Sequence, residues 1–152
     1  MDSSPDKDAL SLDEKVMIGM VRASEMFKKN SSAIFKKYGL TFAQYNVLRA
    51  LNSSPNGYST VTNVGKIMLV TGANMTGLAK RMERDGFLQS RRHEHDERVK
   101  LLEITEKGRQ TLKNIEVEKE AHVKSYIGDM PEDEKKKMLV LVKRMITTAS
   151  GS

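Results

Sequence analysis

The stretch Thr71–Ile104, TGANMTGLAKRMERDGFLQSRRHEHDERVKLLEI, decides how the chain is read. It opens on Thr71, a hydroxyl residue suited to capping a helix, and the helix it starts runs toward a stop at Gly86. At about 3.6 residues per turn, Met75, Leu78, Ala79 and Met82 fall on one side. Ala73, Gly77, Lys80 and Arg84 fall on the opposite side, flanked by Asn74, Thr76 and Arg81. That second face is small near the helix start and basic near its end. Small residues let a backbone approach base edges, Asn and Thr offer hydrogen bonds there, and Lys and Arg reach phosphates. Taken alone, the same face also describes a solvated surface helix.

The residues on either side separate the two readings. Phe87–Ser90 and Val99–Ile104 read as strands, with Leu102 and Ile104 alternating with Glu103 so that one face is buried. Between them runs Arg91-Arg92-His93-Glu94-His95-Asp96-Glu97-Arg98, too charged for a core loop and basic at both ends. Upstream, Leu40 begins a unit in which Thr41 and Gln44 have capping-box spacing. Phe42, Tyr45, Leu48 and Leu51 then form the buried face of a short helix, ended by the turn-rich Asn52–Gly57. A further short helix starts near Thr60, with Val61, Val64, Ile67 and Met68 facing inward. It joins the Thr71 helix through so few residues that the two must cross steeply, as in a helix-turn-helix. A basic helix followed at once by a charged hairpin makes the unit a winged helix-turn-helix, the hairpin being a wing able to track a DNA backbone or enter the minor groove.

The bulk properties agree with this. The chain has 152 residues, a formal net charge of +6, 38% hydrophobic and 30% charged residues. That length suits one domain with helical extensions, and that composition suits long, partly exposed helices over a thick core. Excess positive charge favours an anionic partner, nucleic acid ahead of membrane. With no cysteine, disulfides, thiolate metal sites and thiol redox switches are excluded. The N-terminal MDSSPDKD is polar and acidic, unlike a signal peptide, and no apolar run reaches bilayer length, so a cytoplasmic location is expected.

The expected organisation is mainly α with a small β-hairpin wing, an α+β arrangement. Residues 1–10 are expected to be disordered, and 11–38 and 106–148 to form a helical dimerisation region. The winged helix-turn-helix lobe spans 39–105, and 149–152 is a disordered polar tail. From Leu12 to about Lys37, Met17, Met20, Ser24, Phe27, Ser31, Ile34 and Tyr38 share one helix face. The serines in that stripe mark either close approach of another helix or room for a ligand. Thr105 caps a helix that runs to about Gly128, sparsely apolar at Leu112, Ile115, Val123 and Ile127. Asp129 is expected to cap the last helix, with Pro131 in its first turn and Met138, Leu141, Val142 and Met145 as its seam.

Three sets of residues carry a specific resemblance. They are Leu40-Thr41-x-x-Gln44-x-x-Val47-Leu48; the run Thr76–Gly86, ending Arg84-Asp85-Gly86-Phe87-Leu88; and Asp96-x-Arg98 followed by Ile104-Thr105-Glu106-Lys107-Gly108. Over residues 12–147, in the same order, the chain resembles the MarR family, the multiple-antibiotic-resistance-type transcription regulators. The resemblance implies a homodimer with interlocked terminal helices that binds a pseudo-palindromic promoter operator on double-stranded DNA. It also implies, as the usual case, a repressor released by a small ligand.

By that resemblance one of Asp96 and Arg98 braces the wing through a salt bridge and the other meets the minor groove; Asp96 is expected to brace and Arg98 to approach DNA, the exchange of roles being the alternative. The candidate DNA-binding set is Thr71, Ala73, Asn74, Thr76, Gly77, Lys80, Arg81, Arg84, Arg91, Arg92, His93, His95, Asp96 and Arg98. The resemblance also implies a crevice for an aromatic or anionic effector, for which Met17, Met20, Phe27, Tyr38 and Tyr45 are the candidates. His93-Glu94-His95-Asp96 has donors for a metal, but a Zn site needs about four ligands and no cysteine completes it, so no metal and no cofactor are assigned. The chain has no nucleophile elbow and no phosphate-binding glycine loop, so an enzyme is not expected. The alternative is a small-molecule-binding or protein-interaction module on the same scaffold with weak or no DNA binding. It rests on Glu83, Asp85, Glu94 and Glu97, which dilute the basic face.

Overall fold

Ser11 starts the first helix, α1 (Leu12–Lys36), through a capping box. Its Oγ accepts from the Glu14 amide at 3.2 Å, while the Glu14 carboxylate accepts from the Ser11 amide at 2.8 Å. The computed structural model describes residues 9–68 and 72–151. It contains two units, one running through Ile115 and one from Glu116 onward, with the boundary inside a helix.

In the first unit, α1 ends in a left-handed glycine. Gly39 has φ +77°, its amide donates to Lys36 O at 3.1 Å, and the Leu40 amide donates to Phe35 O at 3.1 Å. These two bonds make a Schellman motif, with Phe35 and Leu40 both buried beside it. Thr41 then caps α2 (Phe42–Ser53) through the expected box with Gln44, at 3.1 and 3.0 Å. Next come β1 (Tyr58–Thr60), α3 (Val61–Met68) and α4 (Gly72–Arg84). The wing is β2 (Leu88–Arg92) and β3 (Lys100–Ile104), and α5 (Glu106–Ile127) follows. The sheet is antiparallel in the order β1-β3-β2, with Tyr58 opposite Glu103, Leu88 opposite Ile104 and Arg92 opposite Lys100.

The core of this unit gathers Leu48, Leu51, Val64, Met75, Met82, Leu88, Leu102, Ile104 and Ile115, all essentially without exposure. The apolar side of α4 is the expected one: Met75, Leu78, Ala79 and Met82 are all buried. Phe35 stacks on Tyr45 with ring centroids 4.0 Å apart, joining α1 to α2.

A second Schellman motif ends α4. Gly86 has φ +82°, its amide donates to Glu83 O, and the Phe87 amide donates to Met82 O, both at 3.0 Å. The start of α5 is fastened to this turn. Thr105 Oγ1 donates to Gly86 O at 2.6 Å and accepts from the Gly108 amide at 3.2 Å, so one hydroxyl caps α5 and holds the α4 terminus. Lys107 donates to Asp85 O at 2.6 Å and lies 4.6 Å from the Phe87 ring centre. A Cβ on Gly108 would meet Phe87 O at 2.5 Å and an Ile104 side-chain carbon at 2.8 Å, so only glycine allows this approach. The Thr-Glu-Lys-Gly motif is thus a clasp between α5 and the turn before the wing. A separate tie runs from α4 to the wing: Glu83 accepts from the Ser90 amide at 2.9 Å and from the Ser90 hydroxyl at 2.8 Å. These bonds, the backbone one first, lower the Glu83 carboxyl from its ordinary value of 4.5.

The second unit contains the rest of α5 and α6 (Glu132–Ser150), and none of its described residues is buried. An apolar hollow of about 230 Å³ is lined by Ile127, Met130, Met138, Leu139, Val142 and the Lys135 stem. Among the described residues no helix is long and apolar enough to cross a membrane.

Several expectations are corrected here. Tyr58–Thr60 is a third strand, not only a lead-in to a helix, because its register with β3 covers the outer edge of the hairpin. The strands begin at Leu88 and Lys100, and Arg91 and Arg92 belong to β2 rather than to the loop. Ile67 is 54% exposed: burial in α3 follows Val61, Val64, Gly65 and Met68, the i, i+3, i+4, i+7 stripe, and Ile67 lies off it. Pro131, not Asp129, is the N-cap of α6, with no side-chain hydrogen bond to the helix start. Ala149 and Ser150 belong to α6 rather than to a disordered tail; hydroxyls of Thr147, Thr148 and Ser150 bond carbonyls four residues back. The Thr71 cap and residues 1–8 of the expected disordered segment lie outside the described residues.

Gly108→Ala is expected to destabilise the fold by about 1–3 kcal/mol, through forced displacement of the Phe87 backbone. Chemical denaturation checks this, and an unchanged midpoint refutes the clasp. A carboxyl with a lowered native pKa contributes its stability above its unfolded value and loses it as pH falls through the native one. Glu83→Gln, which keeps an acceptor for Ser90, should therefore flatten the loss of stability below about pH 4.5 that the wild type shows. Parallel acid-denaturation curves for the two proteins would remove Glu83 from this role.

Candidate nucleic-acid interface

With its apolar side sealed against α3 and the sheet, α4 presents the expected outer face. Asn74, Thr76, Lys80, Arg81 and Arg84 are exposed and Gly77 is half-buried. A Cβ on Gly77 would meet only the end of the Arg81 side chain at 3.5 Å, so packing does not demand glycine there. Keeping that spot small leaves room for another body to approach the helix. The candidate Thr71 and the side chain of the candidate Ala73 lie outside the described residues.

The wing tip is a hydrogen-bonded loop. The His93 amide donates to Val99 O, and the Val99 amide donates to Asp96 O, both at 3.0 Å. Asp96 Oδ1 accepts from the Arg98 amide at 3.0 Å and lies 3.4 Å from Arg98 Nε. The acid therefore shapes the turn from within, and the Arg98 side chain projects with 94% exposure. The His95 amide donates to His93 Nδ1 at 3.2 Å, which ties the His93 imidazole into the tip. Among the described residues no group of three or more metal-ligating side chains gathers.

Alternation along the strands sorts the wing's cations onto two faces. Gln89, Arg91 and Glu103 share the outer face with Tyr58. Arg91 sits 5.0 Å from the Tyr58 ring centre with Nε 3.7 Å from Glu103, and Gln89 donates to Glu103 at 3.2 Å. Ser90, Arg92 and Lys100 share the other face with Leu88, Leu102 and Ile104, the face to which Glu83 of α4 is bonded. Arg91 and Arg92, adjacent in sequence, thus serve opposite sides of the sheet. Lys100, absent from the candidates, joins Arg92 beside a concavity of about 510 Å³ that Arg98 also lines. Its signal in the sequence was its period-two relation to Leu102 and Ile104, masked by Leu101, which is buried on the outer face.

The acids that dilute the positive charge are mostly engaged. Glu83 is held by Ser90, Asp85 pairs with Arg84 at 3.0 Å, and Glu97 pairs with Arg92 at 3.7 Å. Hydrogen bonding to Arg84 keeps the Asp85 carboxyl below its ordinary range.

The ligand candidates do not converge within the chain. Tyr45 is buried in its stack with Phe35, and Met17 is half exposed far toward the start of α1. A rise of about 1.5 Å per residue puts Met17 on the order of 30 Å from Tyr38 along the chain. Met17, Met20, Phe27, Tyr38 and Tyr45 are thus spread from α1 to the start of α2 rather than gathered at one point of a single chain. Tyr38 instead lines an open hollow with Gly39, Asp85, Phe87, Lys107 and Thr111.

Comparison with known proteins places this geometry. A profile of the MarR family matches residues 38–99. The transcriptional activatory protein BadR of Rhodopseudomonas palustris is 30% identical over 123 residues, 80% of this chain and 68% of the relative. The MarR family transcriptional regulator Sco3205 of Streptomyces coelicolor, solved in complex with DNA, superposes with a TM-score of 0.83 at 19% identity, covering 93% of this chain and 90% of that one. CouR of Rhodococcus jostii RHA1, solved with p-coumaroyl-CoA bound, superposes with a TM-score of 0.80 at 20% identity, covering 90% and 95%. With the wing, the clasp and the basic α4 face already in place, the chain belongs to the MarR family of winged-helix transcriptional regulators.

Proposed function

We propose that the chain acts as a homodimer that binds a pseudo-palindromic operator in promoter DNA and represses transcription until a small effector releases it. The observation that carries the DNA reading is the joint exposure of the basic α4 face and Arg98 on one lobe. In this reading α4 lies in the major groove, with Asn74, Thr76 and Gly77 toward the bases and Lys80, Arg81 and Arg84 toward phosphates. The wing lies over the adjacent minor groove, where Arg98 meets its negative potential and Asp96 keeps the turn in shape. Two-fold symmetry sets the paired helices about 34–36 Å apart, one turn of DNA.

Homodimerisation is supported by apolar surface that one chain leaves open. On α1, Leu12, Val16, Met17 and Val21 are exposed; on α6, Met138, Leu139, Val140, Leu141 and Ile146 are. Exposed apolar patches of this kind mark interfaces in soluble proteins. The effector reading is supported by the aromatic acyl thioester held by CouR, and an aromatic or anionic compound is the class to screen.

Arg98→Ala should weaken operator binding and reduce the slope of log affinity against log salt, whereas Asn74→Ala or Thr76→Ala should relax sequence choice by about 1–3 kcal/mol per base pair. Selection of bound sequences from random DNA, repeated across salt concentrations, measures both. Affinity unchanged from low to high salt removes the phosphate contacts, and with them this reading. A promoter fusion gives the sign: expression should fall with the protein and recover with aromatic acids, while a rise would class the chain with the activator to which it is similar.

A further inference from the structure

Arg92 and Lys100 stand directly opposite each other in the β2–β3 ladder, on the same face of the sheet. Facing residues of an antiparallel pair hold their Cβ atoms about 4.5–5.5 Å apart, and like charges there repel. Within the chain the pair is offset only in part, by the Glu83 carboxylate that attracts Lys100 and by Glu97 beside Arg92, and both cations stay exposed and open to a further anion. The flanking residues fit an anion: Ser90, Arg91, Arg92, Arg98 and Lys100 line one concavity of about 510 Å³, in which Glu97 is the single acid. Glu97 already behaves as a weak stand-in, with its carboxylate 3.7 Å from Arg92 Nη1 and both side chains largely exposed. Exposed pairs of this kind contribute only about 0–1 kcal/mol, so a better anion displaces the carboxylate at little cost.

We propose that Arg92 and Lys100, the last pair of the ladder before the tip loop, form a two-cation cradle for one phosphate of the DNA backbone, and that Glu97 occupies it in the free protein. The proposal rests on the DNA-binding reading and deepens it. The cradle faces the side of the sheet to which α4 is bonded through Glu83 and Ser90, so its phosphate lies between the groove α4 enters and the groove the wing tip reaches. Arg98 within the tip loop and the cradle at the base of that loop then hold the far end of the wing through neighbouring contacts. Glu97 lowers affinity most at low salt and so makes the dependence on salt shallower.

The test uses the full-length protein and its selected operator, with affinity measured across salt. Lys100→Ala should lower the magnitude of the salt slope by about 1 per protomer. Lys100→Arg should restore the slope, and Glu97→Gln should bind more tightly than wild type at low salt, with the gap closing as salt screens the charges. Lys137→Ala on α6, which removes the same charge, should leave the slope unchanged. Thermal unfolding of each variant identifies a purely structural role, in which Lys100→Ala moves the melting temperature and not the slope; that result overturns the cradle. An unchanged slope in Lys100→Ala beside salt-dependent wild-type binding overturns the cradle alone. Wild-type binding with no salt dependence overturns the cradle together with the DNA reading beneath it.

Discussion

One threonine hydroxyl joins the two halves of the DNA-binding lobe. Thr105 Oγ1 donates to the carbonyl of Gly86 and accepts from the amide of Gly108, so the end of α4 and the start of α5 share one atom. Gly86 can offer that carbonyl because its left-handed conformation turns the chain out of α4. Gly108 can lie against Phe87 because it has no Cβ. The strand that leaves Gly86 and the strand that arrives at Thr105 are the two strands of the wing. The clasp therefore sets the base of the hairpin, and everything at its tip is levered from there.

Much of this was legible because several local signals agreed with the tertiary outcome. The Thr41–Gln44 box, the Met75-Leu78-Ala79-Met82 stripe and the Thr105 cap each describe short-range physics that packing then confirmed. What could not be read depends on pairing at a distance. Tyr58–Thr60 is too short to show a period, and it is a strand only because β3 offers it an edge. Phe35 lay outside the inferred α1 stripe, and its burial comes from the Tyr45 ring it meets. Asp129 has the chemistry of a cap but sits too early, and the chain begins α6 from Pro131 instead.

The same distinction holds for the interface. Helical periodicity found the basic face of α4, whereas the division of labour in the wing follows from strand register. Neighbouring arginines point to opposite faces, so counting charge along Arg91–Arg98 overstates what can meet one partner. Acids that weaken the basic pattern on paper turn out to organise it. Glu83 anchors β2 to α4, Asp96 folds the tip, and Glu103 with Tyr58 holds Arg91 on the outer face. The ligand candidates are spread out within one chain for a comparable reason: a helical stripe shares a direction but not a place, and α1 is 25 residues long.

The second unit carries a consequence of a different kind. From Glu116 onward no described residue is buried, and a pair of helices with no interior is marginal in water. Its persistence depends on whatever covers the apolar seam of α6. The exposed seam of Met138, Leu139, Leu141 and Ile146 therefore does for this unit what a buried core does for the first: the order of its two helices is tied to the removal of that surface from water.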